Sequence, residues 1–273
     1  MGKPSLNAAQ DNAILTDENR NGIRRLTLNN PARRNSLSEG MMAALQSALD
    51  DAADDPQTRV IVIGHNGPAF SAGHDLRELD AGRKAPDAGR AYFTDIMRRC
   101  ATLMQTVVNH PRPVIADIRG IATAAGCQLV ASCDLVIASE QSRFATPGVN
   151  IGLFCSTPMV ALSRKVGQNH AMEMLLTGEF IDATRAAEIG LVTRVVAEQE
   201  QDEAVNALAQ TIASKSLMTL KTGKQAFYVQ ADMPLAEAYD YTADVMISNM
   251  LKYDAREGVQ AFLEKRQPEW RDE

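Results

Sequence analysis

Small residues occupy the point at which a predicted strand passes into a predicted helix within residues 119–139, RGIATAAGCQLVASCDLVIAS. The strand is predicted over residues 114–118, and the run Ala-Ala-Gly at 124–126 begins a helix that carries Gln128. A corner with almost no side chain lets a ligand reach backbone N–H groups at a helix N-terminus, where unpaired donors and the helix dipole favour negative charge. The segment is therefore typical of an oxyanion hole, although close packing of a helix on a strand uses the same small residues.

A second short motif, FSAGHDLRELD at residues 70–80, follows a predicted strand further upstream. Gly73 permits a tight turn there, and Asp75 begins a short helix whose first turn contains the acidic residue that helices favour at this position. The turn directs the N–H of His74 outwards, as the first corner does with the N–H of Ala125. Two such donors that meet at one carbonyl oxygen would form a complete oxyanion hole.

Strand and helix patterns alternate through the first part of the chain, which predicts right-handed crossover units and an α/β core. Ser36 and Glu39 have capping-box spacing, so a helix is expected to begin there, after a hairpin whose turn covers residues 18–22. From residue 197 onwards only helical spacing remains, so we predict an α/β domain over residues 1–196 and a helical segment over 197–273. Strands are predicted at residues 13–16, 23–28, 60–63, 114–118 and 135–138.

The charge of the chain limits its partners. A net charge of −6 and a pI near 5.4 leave no basic surplus to neutralise phosphates, so neither nucleic acid nor an anionic membrane is expected as a partner. No apolar run reaches the length of a membrane span. No zinc site, phosphate loop or dinucleotide-binding fingerprint is found in the sequence.

The cysteines and the N-terminal sequence predict a cytoplasmic protein. The four cysteines show no C-x-x-C pair and no metal-ligand spacing, which favours buried free thiols in a reducing compartment. The first twenty residues are polar and contain acidic side chains, unlike a signal or transit peptide. The cysteines are Cys100, Cys127, Cys133 and Cys155.

Four motifs, in order and spacing, resemble the enoyl-CoA hydratase/isomerase family, also called the crotonase superfamily. They are NPARRNSLS (30–38), FSAGHDLREL (70–79), GIATAAGCQLVASCDLVIAS (120–139) and FATPGVNIGLF (144–154), and the ending AFLEKR (261–266) extends the resemblance over nearly the whole chain. The resemblance implies an α/β fold, a crotonase-like spiral of ββα units, with a helical C-terminal trimerisation region. It also implies homotrimers or hexamers, and an acyl-CoA thioester as the partner. CoA is part of that substrate, and no separately bound cofactor is expected.

The resemblance also suggests roles for particular residues. The oxyanion-hole donors would be the backbone N–H groups of His74 and Ala125. Arg33 and Arg34 lie near the expected position of the nucleotide. The positions that would contact CoA are Ala72, His74, Asp75, Leu76 and Arg77, with Phe262 and Lys265 contributed by a neighbouring subunit.

The chain departs from the family at the two catalytic glutamates, which align with Gln128 and Gly148. Hydration needs one group to activate water while a proton is delivered to the α-carbon, and a carboxylate pair performs both tasks. A glutamine amide cannot accept that proton at neutral pH, and glycine has no side chain. General acid–base help contributes roughly 10² to 10⁴ in rate, so hydratase activity is expected to be weak or absent. Replacing both residues by glutamate would test the alignment.

Three interpretations of function remain open. The chain could be an altered acyl-CoA enzyme that isomerises, decarboxylates or hydrolyses a thioester; a weak hydratase with water held by Gln128; or a non-catalytic acyl-CoA binding protein. The His74 imidazole is an alternative base, although a main-chain role for this residue is favoured. Cys155, Ser156 and Thr157 could line the acyl pocket, or they could serve as a packed thiol and helix-capping residues.

Overall fold

The computed structural model describes residues 13–273, which form ten strands and eleven α-helices. The strands are β1 (Leu15–Arg20), β2 (Ile23–Leu28), β3 (Val60–His65), β4 (Ala69–Ser71), β5 (Val114–Ile118), β6 (Ile121–Thr123), β7 (Leu135–Ser139), β8 (Arg143–Ala145), β9 (Ile181–Asp182) and β10 (Arg194–Val196). The helices are α1 (Glu39–Asp54), α2 (Leu76–Arg83), α3 (Arg90–Asn109), α4 (Ala125–Ser132), α5 (Ser156–Lys165), α6 (Gln168–Thr177), α7 (Ala183–Glu188), α8 (Gln201–Ala213), α9 (Leu217–Gln230), α10 (Leu235–Met250) and α11 (Tyr253–Glu264). The expectation about a targeting peptide rests largely on residues 1–12, which lie outside this range.

The strands form two sheets that the chain visits in turn. The larger sheet has the order β1-β2-β3-β5-β7-β10, and the smaller one has the order β4-β6-β8-β9. Pairing is parallel throughout both sheets except for β1 with β2 and β8 with β9. The pairs β3/β4, β5/β6 and β7/β8 each place one strand in each sheet before the next helix begins. This confirms the predicted α/β spiral of ββα units.

The main core lies between the sheets and helices α1, α3 and α4. Helix α1 buries Met42, Leu45 and Leu49, as its spacing predicts, and β3 is buried along residues 60–63 on both faces. On the opposite face of the larger sheet, α8 packs Val205 and Ala209 against Val60, Val62 and their neighbours. These apolar contacts fix the strand ends from which the site is built.

Two predicted boundaries were wrong. Strand β1 continues to Arg20, so the hairpin turn is the pair Asn21–Gly22 alone, with φ of 55° and 80°, a sequence suited to a two-residue turn. Helix α1 begins after Ser38, whose hydroxyl accepts the Met41 N–H at 3.2 Å. Ser36 does not cap the helix, because its hydroxyl lies 3.4 Å from Asp75 instead.

After β10 the described chain contains only helical elements and connecting segments. Helices α9 to α11 leave many large apolar side chains exposed, for example Leu251 and Phe262, each 83% exposed. No helix within residues 13–273 is both long and apolar enough to cross a membrane. The boundary at residue 197 stays a prediction.

Candidate active site

A cavity of about 600 Å³ opens beside the N-termini of α2, α4 and α5. His74 and Ala125 both line this cavity, which brings the two predicted donors to one space. Apolar side chains form most of the remaining wall. They include Leu76, Leu79, Phe93, Met97, Ile151, Leu153, Phe154 and Pro158.

The two turns that carry these donors are in direct contact. A Cβ atom placed on Gly73 would lie 3.2 Å from the Ala125 amide nitrogen and 2.9 Å from the Ala124 Cβ. A Cβ on Gly126 would overlap the carbonyl oxygen of Ser71. Glycine is therefore required on both sides of this contact, and Gly73 also adopts a φ of +86°. The tight packing of helix on strand and the open corner for a ligand are consequences of the same small residues.

The backbone at the start of α4 is strained. Ala124 adopts φ 50° and ψ −121°, a conformation that L-residues seldom adopt. Its N–H donates to the Ala145 carbonyl at 3.0 Å, and its carbonyl accepts the Gln128 N–H at 3.0 Å. Within residues 13–273, the N–H groups of His74 and Ala125 have no hydrogen-bond acceptor. Both donors are thus available to a bound oxygen atom.

The His74 imidazole is held by a hydrogen bond to the backbone of Leu37. Its Nδ1 lies 3.2 Å from the Leu37 carbonyl oxygen, which can only accept, so Nδ1 carries the proton and Nε2 holds a lone pair. Nε2 is buried and has no partner among the described residues. Burial lowers the pKa of the ring and keeps it neutral, against a smaller opposing effect of the Leu37 hydrogen bond. A buried Nε2 leaves no space for water or substrate beside it, which favours the main-chain role.

Neither glutamate-equivalent position supplies a base. Gln128 is buried, its Oε1 lies 3.9 Å from the Cys100 thiol, and it is not among the residues that line the cavity. Gly148 does line the cavity, but a Cβ there would overlap the Leu153 carbonyl oxygen and lie 2.8 Å from the Cys155 sulfur. The proposed double glutamate replacement is therefore a poor test, since the loop around Gly148 has no room for a side chain.

The other titratable groups of the cavity wall are also unsuited to take a proton. Asp80 is the one carboxylate among the described lining residues, and it is exposed and paired with Lys84 at 3.2 Å. Burial raises the pKa of the Cys155 thiol, which keeps it protonated at neutral pH. Ser156 and Thr157 lie at the start of α5, where no side chain caps the helix, so the helix-capping interpretation was wrong. Among residues 13–273, no group of three or more His, Cys, Asp or Glu side chains could hold a metal ion.

The predicted CoA-contacting residues are placed in three different settings. Ala72 and Leu76 line the cavity, as His74 does. Asp75 caps α2 by accepting the Arg77 N–H at 2.9 Å, and its carboxylate pairs with Arg33 at 3.1 Å, but neither Asp75 nor Arg77 lines the cavity. Phe262 and Lys265 lie at the end of α11 and do not line the cavity of their own chain.

Sequence reasoning missed the strain at Ala124 and the burial of two histidines. His110 is 3% exposed and hydrogen-bonds the Leu49 carbonyl at 2.9 Å, a burial that the sequence did not indicate. His65 is likewise mostly buried against Phe70, with ring centroids 5.7 Å apart. For Ala124 no local sequence signal exists, because alanine does not favour a positive φ.

The chain visits two sheets in turn and brings two backbone donors to one cavity. These features define a protein of the crotonase fold class. The chain belongs to the enoyl-CoA hydratase/isomerase family, whose model matches residues 18–273. The subgroup indicated by AAGCQLVASCDL and FATPGVN, enoyl-CoA hydratase domain-containing protein 3, is supported by several relatives. The human protein of that name is 48% identical over 252 residues, covering 92% of this chain and 82% of its own length. The Xenopus laevis protein is 47% identical, with coverage of 96% and 87%.

Solved structures agree with this assignment. The crystal structure of the human protein superposes with a TM-score of 0.90 at 46% identity, covering 94% of this chain and all of the other. An enoyl-CoA hydratase structure from Mycobacterium smegmatis gives a TM-score of 0.90 at 46% identity, with coverage of 94% and 99%.

The predicted cytoplasmic location was wrong. The human, rat and Xenopus laevis relatives are all named as mitochondrial proteins, which contradicts that prediction. All four cysteines are buried free thiols, as predicted. Free thiols are common to proteins of reducing compartments and do not distinguish one such compartment from another.

Proposed function

We propose that the protein binds an acyl-CoA thioester and stabilises the enolate formed from it, with little or no hydratase activity. The observation that supports this proposal is the contact between the Gly73 and Ala125 turns, which brings His74 and Ala125 to one apolar cavity with N–H groups that have no acceptor within residues 13–273. Donors of this kind, held ready for a developing oxyanion, contribute about 3 to 4 kcal/mol each to catalysis. The candidate reactions are isomerisation and decarboxylation of the thioester, which pass through an enolate, and hydrolysis, which passes through a tetrahedral oxyanion that the same two N–H groups would hold.

The lack of a carboxylate pair at the donors supports the second half of the proposal. Gln128 packs against Cys100, Gly148 has no space for a side chain, and Asp80 pairs with Lys84 at the exposed rim. Among residues 13–273, no group near the two N–H donors can both activate water and return a proton, as hydration demands. The term hydratase in the names of the relatives therefore indicates the family and differs from the reaction proposed for this chain.

A panel of CoA thioesters tests the proposal. We expect turnover of at least one saturated, β,γ-unsaturated or malonyl-type thioester, and hydration of crotonyl-CoA at least about 10²-fold below that of a family member with both glutamates. Efficient hydration of crotonyl-CoA would refute the assignment of Gln128 and Gly148. The alternative is a non-catalytic binding protein, which would bind acyl-CoA by calorimetry and yield no product from any thioester of the panel.

The same proposal includes assembly into homotrimers or hexamers. Helices α10 and α11 expose a run of large apolar side chains that a monomer would leave in water at a cost of roughly 25 cal/mol per Å². Phe262 and Lys265 belong to this surface and would reach the CoA of an adjacent subunit. Sedimentation equilibrium of the purified chain measures the state, and a monomer would contradict this part of the proposal. The exposed side chains are Leu235, Tyr239, Met246, Ile247, Met250, Leu251, Val259 and Leu263.

A further inference from the structure

Asn35 is a fully buried side chain that joins three separate pieces of backbone. Its Oδ1 accepts the Asn30 N–H at 2.7 Å, and its Nδ2 donates to the carbonyl oxygens of Asn66 at 2.9 Å and Ala69 at 2.7 Å. An amide nitrogen has two hydrogens, so both donors are used. Residue 69 begins β4, the strand that leads to the His74 turn. Asn35 therefore ties the loop at residues 30–35 to the base of that strand.

The backbone around Asn35 is held in an unfavourable conformation. Arg34 and Asn35 have φ of 50° and 49°, two consecutive left-handed residues without a glycine. Such residues persist only where surrounding contacts determine their conformation, and asparagine tolerates it better than most. The three hydrogen bonds of the Asn35 amide supply those contacts. They fix the direction in which the carbonyl of Arg34 and the N–H of Leu37 point.

Both of these groups bond to the segment that carries the first oxyanion donor. The Ala72 N–H donates to the Arg34 carbonyl at 3.0 Å, and the Leu37 N–H donates to the Gly73 carbonyl at 2.8 Å. The His74 Nδ1 adds a third contact, to the Leu37 carbonyl at 3.2 Å. These bonds lie on either side of the His74 N–H along the chain. The N–H itself has no partner within residues 13–273, so its direction depends on its neighbours.

We propose that Asn35 is a positioning residue that aims the His74 N–H at the thioester oxygen. The inference rests on the proposed function, because it assumes that this N–H is a thioester donor. Asn35 does not line the cavity and touches no substrate. A displacement of about 1 Å in a catalytic group costs roughly 10²-fold in rate, so loosening this anchor is expected to affect turnover far more than binding.

The test compares Asn35→Gly with Gln201→Ala. Glycine accepts the left-handed backbone but removes the amide. Gln201 is an equally buried amide that donates to Asp117 Oδ1 at 2.5 Å and to the Ile118 carbonyl at 2.9 Å, away from the cavity. The probe is 4-(dimethylamino)cinnamoyl-CoA, whose absorption moves to longer wavelength as its thioester carbonyl is polarised. Binding affinity, this spectral shift and turnover of the best thioester are measured for each protein.

We expect Asn35→Gly to bind the probe within about threefold of the wild type, to lose most of the spectral shift, and to lose about 10²-fold in turnover. Gln201→Ala is expected to keep the shift and the turnover. If the glycine variant does not fold, Asn35→Ser, which keeps one donor and one acceptor, replaces it and should lose part of the shift. A full shift in the folded Asn35 variant, or an equal loss in Gln201→Ala, would overturn the positioning role. A wild-type protein that binds the probe without any shift would instead overturn the proposed function, and the role of Asn35 with it.

Discussion

Replacing Gly73 by alanine tests the central contact of the site. Residue 73 has a φ of +86°, and a Cβ there would lie 2.9 Å from the Ala124 Cβ and 3.2 Å from the Ala125 nitrogen. The two turns that carry the proposed donors can pack this closely only because residue 73 has no Cβ atom. A substitution of this size changes neither charge nor polarity, so its effects are those of geometry alone.

The structure indicates the size of two effects of this substitution, the loss of stability and the loss of turnover. A positive φ costs an L-residue about 1–2 kcal/mol, which lowers the free energy of unfolding by that amount. The 2.9 Å contact is about 0.6 Å shorter than the ~3.5 Å at which two carbon atoms pack well, so the turns must separate by a comparable distance. A separation of that order moves one N–H away from the thioester oxygen. Loss of one oxyanion donor costs roughly 10² to 10³ in turnover.

Gly190→Ala is the matched control for this prediction. Gly190 has a φ of +87°, its nearest contact for a Cβ is the Lys165 carbonyl oxygen at 3.7 Å, and it does not line the cavity. Urea unfolding should show a loss of about 1–2 kcal/mol for Gly190→Ala and a larger loss for Gly73→Ala, which adds the close contact to the backbone strain. Only Gly73→Ala should lose turnover and polarisation of a bound thioester. Equal turnover in the two variants would refute the claim that the Gly73 contact sets the donor geometry.

Three further predictions concern stability. Gly126→Ala should lower the free energy of unfolding by about 1–3 kcal/mol, because the added Cβ overpacks against the Ser71 carbonyl. Gly223→Ala, in α9 with open space around it, should raise the free energy of unfolding by about 0.5–1 kcal/mol. Equal urea midpoints for the two variants would contradict this packing argument. Ala124→Gly should raise the free energy of unfolding by about 1 kcal/mol because relief of backbone strain exceeds the added chain entropy, and a loss would show that Ala124 is unstrained. Lowering the pH from 7.5 to 5.5 should destabilise the protein, because burial lowers the pKa of three histidines, which stay neutral when folded but take up protons below about pH 6.5 when unfolded. Each such group contributes up to about 1.4 kcal/mol per pH unit, so His110→Gln should reduce the slope, and an unchanged slope would refute this cause. The histidines are His65, His74 and His110.

Much of the fold could be predicted from local patterns. Strand β5 begins and ends at the residues predicted for it, because a buried strand forms a short continuous apolar run that is visible in the sequence. The start of α1 could not be predicted in this way. The Ser36 hydroxyl lies near Asp75, 39 positions away, and the capping role passes to Ser38. A tertiary contact overrode a local signal.

The site was predictable to the extent that it depends on glycine. Gly73 and Gly126 mark the close approach of two turns, and glycine in such a place leaves a visible trace in the sequence. The setting of Gln128 left no such trace. One of the interpretations left open has the Gln128 amide hold a water, yet its side chain packs beside the Cys100 thiol. Packing across the core decides which face of a helix lies towards a cavity, and the sequence of that helix alone does not specify it.

The two positions aligned with the family's glutamates differ in how they would accommodate an acid, and this difference bears on how the site can change. At position 128 a glutamate would lie among buried neighbours, where burial raises the pKa of a carboxyl and favours its neutral form. At position 148 any side chain would collide with the Leu153 carbonyl, so the path of the loop after residue 147 excludes an acid there. The backbone donors depend on neither position, because they are set by contacts among residues 71–73, 124–126 and 34–37. Under the proposed function, polarisation of the thioester would therefore not depend on hydration chemistry, and introducing that chemistry would require a rebuilt loop as well as two substitutions.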